Sequence, residues 1–428
     1  MITMRELNGE VVGHQRLLVN EECRRQSTTN VPTVVLSNIQ YDFTRSIRPT
    51  LWLLHIFGYC PSGISSGGTS QGIMKQMAVQ SITVLYIIIN LAIFGMNILG
   101  IHAAKMQQGF WHAYTISMII IGVMPLQNLI FLTLFLWRQE KHRILLKELN
   151  LIGDYFPLPK RLNQGVMIAA ALTFLIPLLI YGVGAYMFPN HYNNWIALIG
   201  FFLFPSLRIW LLLPLIYYSC LSQALYNWFQ HLKRKLLSDP DLQEFSMSFY
   251  YKQYVRLTII SRRFGGLFSP FVLLALLMSM CSLCLTIYYV TQAGVIGQAN
   301  YLPNDTFTLN DDKIQLRHIN IVWALLQVLI AIVYILTICH AGRRVNEQAR
   351  SVLSAVLCAN PRTEDDRFQV LKFIQKNNMQ LQWGLSVWRA FLLERSTMIT
   401  VVSTVLAYAL ILNKMKELKS HASVELLI

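Results

Sequence analysis

The chain has 428 residues, 54% of them hydrophobic and 13% charged, with a formal net charge of +15. Soluble domains carry charge on about a quarter of their residues, so this balance excludes an ordinary soluble enzyme and indicates an integral membrane protein. The basic residues cluster beside apolar stretches, where an anionic leaflet attracts them. No phosphate-binding glycine loop or zinc spacing accompanies them, so membrane lipid is an expected partner and nucleic acid is not.

Residues 1–78 are expected to be a cytoplasmic segment without a signal peptide, because Arg5, Glu6, Glu10 and Arg16 precede any apolar run. Thr50–Phe57 is apolar but too short to cross a bilayer, and reads as an interfacial or packed helix ahead of the Gly/Ser-rich stretch Pro61–Thr69.

Seven apolar segments follow, at 79–101, 112–137, 166–188, 196–222, 268–290, 319–340 and 397–412. Most are long enough to cross about 30 Å of hydrocarbon at about 1.5 Å per helical residue. Their connections alternate in charge. Segments 1–78, 138–164, 223–267 and 341–390 hold 28 of the 36 Lys and Arg residues, whereas 102–111, 189–195, 291–318 and 413–428 hold 6. The positive-inside bias therefore predicts a cytoplasmic N-terminus and an extracellular C-terminus, the reverse of a G-protein-coupled receptor.

The 7 cysteines agree with this side assignment. Cys23, Cys60 and Cys358 fall in expected cytoplasmic segments, Cys220 and Cys339 at cytoplasmic span ends, and Cys281 and Cys284 within a span, so no disulfide framework is expected. Asn304-Asp305-Thr306 is a glycosylation sequon in the 291–318 loop, on the expected outer side.

Domain 79–362 is read as spans one to six, their cytosolic loops and an outer-half pocket. Arg208 is central in the fourth span, between Pro205 and Pro214. A guanidinium there costs at least ~2.5–3.5 kcal/mol and needs a cavity, a ligand or carbonyls freed by the prolines. Tyr114, Tyr181, Tyr186, Phe202, Arg208, Tyr288, Trp323 and Gln327 are candidate pocket residues, an apolar lining with a few directing polar groups. An interfacial aromatic belt accounts for several of them equally well. Residues 223–267 are basic and aromatic, and read as helical continuations of the fourth and fifth spans broken near Asp239-Pro240.

Segment 363–396 reads as one amphipathic cytosolic anchor helix. Thr363, followed by Glu364, Asp365 and Asp366, approximates a capping box. Leu371, Ile374, Asn378, Leu381, Leu385, Trp388 and Leu392 then recur at alternating intervals of three and four, a heptad seam with one polar position. Such a seam serves packing within the chain or between copies of it. Span 397–412 is the shortest, interrupted by Thr397, Thr400, Ser403, Thr404 and Tyr408, as suits a water-lined path or tight helix packing. Residues 413–428 are left as a short extracellular tail. No catalytic constellation, metal-ligand spacing, cofactor motif or internal repeat stands out, so neither an enzyme nor a transporter is expected.

The inverted seven-span topology, the long 341–396 segment and the polar last span together resemble the insect gustatory and odorant receptor superfamily. Cys339-His340-Ala341-Gly342 and Asn346-Glu347-Gln348-Ala349 look like the segment following its sixth span. The family signature in the last span is Thr-Tyr, five apolar residues, then Gln-Phe. Aligned from Thr400, this chain keeps the Thr, has Val401 for Tyr and Ala407 for Gln, and conservatively replaces Phe by Tyr408. The resemblance implies a homo- or heterotetrameric cation channel of the plasma membrane, with Thr400, Thr404, Ala407 and Tyr408 at the pore constriction. It also implies an anchor formed through 371–392, and a small-molecule pocket or, as in light- and peroxide-sensing relatives, a response to those stimuli. The replaced Gln and Tyr leave open a receptor that signals without conducting.

Overall fold

The computed structural model describes residues 47–59, 70–108, 113–153, 171, 175, 179, 195–239, 246–291, 309–359, 361, 363–387 and 391–425. The described chain is helical apart from one two-stranded hairpin. In order come α1 (Arg48–Ile56), α2 (Ser70–Gln108), α3 (Ala113–Trp137), α4 (Gln139–Gly153), α5 (Trp195–Ser238), α6 (Met247–Thr291), α7 (Leu309–Cys358), α8 (Glu364–Asn378), α9 (Gln380–Trp383), β1 (Ser386–Val387), β2 (Phe391–Leu392) and α10 (Arg395–Glu425).

Among the described residues, four helical stretches are long and apolar enough to cross a membrane: Gln80–Ala103, Thr115–Trp137, Met247–Thr291 and Ala324–Cys358. Segments 196–222 and 397–412 lie within α5 and α10. Only 11% of the Gln80–Ala103 window is buried. Val84, Ile88, Leu91 and Leu99 stand exposed on it, which places α2 at the lipid face. In the 166–188 segment, Ala171, Leu175 and Leu179 are helical and exposed, four residues apart on one face. The polar groups of α2 turn inward: Asn90 is buried, donates to the Tyr86 carbonyl at 2.9 Å, and accepts from Asn128 of α3 at 3.4 Å.

The main core joins α5, α6 and α7 along their basic halves. Trp228 and Phe229 of α5 and Phe264 and Phe268 of α6 are essentially fully buried there, with Tyr334 of α7. The expected helical continuations are present, since α5 runs to Ser238 and α6 begins at Met247, either side of Asp239-Pro240. Pro270 lacks an N–H, so the carbonyl of Gly266 loses its helical donor. The Arg138 guanidinium, just past the end of α3, donates to the Gly266 and Leu267 carbonyls at 2.8 Å each.

The stretch from Thr50, too short to span, forms α1 up to Ile56 with Phe57 as its C-cap, and docks Thr50, Leu51 and Leu54 inward. α1 ends in a Schellman motif, with Tyr59 N–H donating to the Leu54 carbonyl at 2.8 Å and Gly58 N–H to that of His55 at 3.1 Å. Gly58 takes φ 76°, and a side chain there would meet Thr83 Oγ1 at 2.5 Å, so glycine is required twice over.

The single anchor helix expected over 363–396 is divided instead into α8, α9 and a hairpin whose strands pair Ser386 with Leu392 and Val387 with Phe391. Thr363 does cap α8, its Oγ1 accepting from the Asp366 N–H at 3.1 Å. The break follows from partners outside the segment. Buried Asn346 of α7 donates through Nδ2 to the carbonyls of Leu385 at 2.8 Å and Leu393 at 3.2 Å, and accepts the Leu385 N–H at 2.8 Å. These bonds satisfy backbone groups that a continuous helix would have used internally. The heptad seam is correspondingly split: Leu371 and Asn378 are exposed, Ile374 is half-buried and Leu385 is buried. Leu381 lies on α9, and Trp388 lies outside the described residues.

The last helix is also longer than expected. Segment 397–412 would reach about 24 Å, short of the ~30 Å of hydrocarbon, but α10 continues unbroken to Glu425 for a length of about 46 Å. Residues 413–425 are therefore helix, not a loose tail.

Candidate functional site

Two features carry the candidate chemistry. The first is a cavity inside the bundle, lined by Val123, Met124 and Gln127 of α3, Leu211 of α5, Ser279 and Ser282 of α6, and Gln327, Ile330, Ala331 and Tyr334 of α7. Its lining is mostly apolar with two amides and a phenol, the mixture that orients a small organic guest. Gln127, Ser279, Gln327 and Tyr334 are all buried, and the Tyr334 hydroxyl has no hydrogen-bond partner among the described residues. The free volume of about 20 Å³ holds about one water, so a larger guest requires side-chain movement. Met124, unbranched and flexible, is suited to give way. Pro125 interrupts the α3 hydrogen-bond ladder beside this cavity.

Ile120 lines the same cavity and belongs to a second apolar cluster with Ile116, Tyr288, Tyr289 and Ala324. Of the eight pocket candidates, Gln327 thus lines the cavity and Tyr288 packs beside it. Tyr114 begins α3, Phe202 and Arg208 lie on α5 and Trp323 on α7, and none of these four side chains is among those described. Tyr181, Tyr186 and the sequon residue Asn304 lie outside the described residues. Gln127, Ser279 and Tyr334 are additions. The amide pair Gln127-Asn128, set in an apolar span, was the available signal for the first. For the other two, nothing in their spacing distinguished them.

The second feature is α10, which has three faces. Thr397, Val401 and Val405, four residues apart, are buried, and α10 packs on α6 and α7. Ile399, Val402, Leu406 and Leu410 form an exposed apolar face. Ser396, Thr400, Ser403 and Ala407, at intervals of four, three and four, form an exposed stripe of small and hydroxylated residues, with Thr404 half-buried at its border. Thr400 Oγ1 donates to the Ser396 carbonyl at 2.9 Å and Thr404 Oγ1 to the Thr400 carbonyl at 2.8 Å. Each hydroxyl proton is thereby committed to the helix, leaving oxygen lone pairs as outward acceptors. Tyr408 is exposed.

The start of α10 is tied to α7 over two turns. Gln380 donates to the Asn346 carbonyl at 2.9 Å, and Arg350 binds both Gln380 and Glu394. Glu347 accepts from Arg343 at 2.8 Å and lies 3.5 Å from Arg395, and these guanidinium contacts hold its carboxyl below the usual carboxylate range. At Gly342 a side chain would collide with the Leu393 side chain, so the helix and the hairpin base approach as backbone against side chain. Gly342, Asn346, Glu347 and Arg350 therefore form the α7 surface that receives the linker into α10.

The sequence profile of a family described as "7tm Chemosensory receptor" matches residues 47–413. A Caenorhabditis elegans protein described as "Probable G-protein coupled receptor egl-47" is 28% identical over 393 residues, covering 87% of this chain and 75% of that one. The solved structure of the insect olfactory receptor OR5 from Machilis hrabei in complex with eugenol superposes with a TM-score of 0.60 at 12% identity, over 87% of this chain and 98% of that one. The same receptor without eugenol in its description gives 0.57 at 14% identity, over 86% and 97%. At these identities the likeness shows a shared seven-transmembrane helical fold.

Proposed function

Because the chain belongs to the 7tm chemosensory receptor family, we propose that it is a stimulus-gated cation channel of the plasma membrane, built from four copies whose α10 helices surround one pore. The observation carrying this reading is the stripe Ser396–Thr400–Ser403–Ala407, whose outward oxygens lack a reason to face lipid and suit partly hydrated cations. Assembly is supported by Phe368 and Leu371, large apolar side chains exposed close together on α8. The ligand site is the cavity around Gln127 and Gln327. A guest that fits the open arrangement of α3, α6 and α7 better than the closed one shifts the α10 equilibrium through the α7 linker. The eugenol complex of the insect receptor is a precedent for a small aromatic guest in this fold.

A second reading, signalling without conduction, is favoured by Val401 and Ala407 in place of the family's Tyr and Gln and by the description of the nematode relative. Recording currents from cells expressing this chain alone separates the two. The panel is small aromatics, tastants, peroxide and ultraviolet light. The channel reading expects a stimulus-dependent cation current that Gln327→Leu weakens by about tenfold or more in apparent affinity, because a buried directing amide is lost. Silence to every stimulus, with the chain at the cell surface, overturns it.

A further inference from the structure

We propose that a groove between α5 and α7, at the basic end of the bundle, binds an anionic phospholipid of the adjoining leaflet. The groove has a volume of about 520 Å³ and changes character along its length. Leu336, Thr337 and Ala341 line one part, and His340, Arg343 and Arg344 line the other. Leu336 and Arg344 are eight residues apart, about 12 Å along the helix, so the apolar-to-cationic transition occurs over the depth between acyl chain and headgroup.

Arg344 is the anchor of this site. Its guanidinium donates to Gln223 Oε1 at 3.3 Å and lies 4.5 Å above the Tyr226 ring, both from α5. No ion pair joins it to a carboxylate among the described residues, whereas Arg343 is held by Glu347. A guanidinium fixed on its flat face, with most of its N–H donors uncommitted, is preorganised for a phosphate oxygen. Ser219 Oγ, in the same groove, is buried without a hydrogen-bond partner among the described residues and offers a further donor. Glu394 closes the far side, so an occupying headgroup sits next to the first residue of α10. Free phosphate satisfies the arginine but leaves Leu336, Thr337 and Ala341 without a partner. A phospholipid satisfies both parts.

The proposal concerns binding and stands whether or not the protein conducts. It is tested by native mass spectrometry of the full chain released from detergent, after exchange with phosphatidylinositol 4-phosphate, phosphatidylserine or phosphatidylcholine of matched chains, and separately with inositol 1,4-bisphosphate. Anionic lipids are expected to be retained about tenfold more than phosphatidylcholine, and the soluble headgroup far less than its lipid. Arg344→Gln should abolish the anionic preference. Thr337→Phe, filling the apolar part, should lower retention of every lipid while leaving the headgroup's weak binding unchanged. Lys147→Gln, removing an exposed charge on α4, should leave retention at the native level. Equal retention of anionic and neutral lipid, native retention by both groove variants, or binding of the soluble headgroup equal to that of its lipid would each overturn the assignment.

Discussion

His142 is a titratable residue placed where it cannot easily titrate. It stacks on Phe135 with ring centroids 4.8 Å apart and meets Phe268 edge-on at 5.4 Å. Burial, with a smaller contribution from the charge of Arg138, pushes its imidazole from 6.5 down to about 3. Above pH 6.5 the imidazole is neutral in both folded and unfolded chains and pH has no leverage through it. As pH falls below 6.5 the unfolded chain takes up a proton that the folded chain refuses until about pH 3. Stability is therefore lost across that window, at about 1.4 kcal/mol per pH unit. His142→Phe preserves the aromatic packing and removes the proton site. The unfolding midpoint of the detergent-solubilised protein should fall from pH 7 to pH 5 in the native chain and fall less in the variant. The half-buried His231, also shifted down by burial and by Lys235 and Arg234, leaves a residual slope. Equal slopes in both proteins contradict the assignment.

At the scale of elements, the least expected feature is the clasp between α7 and the linker into α10. The Leu385 carbonyl also accepts the Leu393 N–H at 3.0 Å, so replacing Asn346 strands mainly two groups, the Leu385 N–H and the Leu393 carbonyl. Each buried unsatisfied group costs about 1–3 kcal/mol, so Asn346→Leu should destabilise the protein by about 3 kcal/mol or more. Asn378→Ala, at the polar position of the heptad seam, should cost about 0.5 kcal/mol or less because Asn378 is exposed on α8. Thermal unfolding of the two variants side by side checks the contrast, and a larger loss at Asn378 refutes it. The contrast also shows what spacing reveals and what it hides. Long apolar runs announce α2, α3, α5, α6 and α7 because lipid and core demand the same residues over many turns. The seam from Leu371 to Leu392 has helical spacing throughout, yet a long-range partner 39 residues upstream of Leu385 decides where the helix stops. Gln327 was legible as a polar group in an apolar span. Its place opposite Gln127 was not, because helix rotation depends on the whole bundle.

Across the whole molecule, the basic segments that alternate along the chain are joined to one another in space. Arg263 of α6 pairs with Glu148 of α4, Arg138 beyond α3 bonds α6, the Met247 N–H of α6 meets Asp366 of α8 at 3.2 Å, and Arg350 of α7 holds Glu394 before α10. The described parts of segments 138–164, 223–267 and 341–390 are thus brought together at one end of the bundle, as they must be if all face the same leaflet. From that end α10 runs about 46 Å, more than the ~30 Å of hydrocarbon, which is long enough for its last turns to emerge opposite the basic end. If the basic end faces the cytoplasm, an epitope ahead of Met1 should stain only in permeabilised cells. An epitope after Ile428 should stain on intact ones. The 291–318 loop should then be outside as well, and Asn304→Gln should remove a glycosidase-sensitive mobility shift. A C-terminal epitope hidden until permeabilisation, together with an unshifted native band, would reverse the orientation that the positive-inside bias predicts and restore the G-protein-coupled topology.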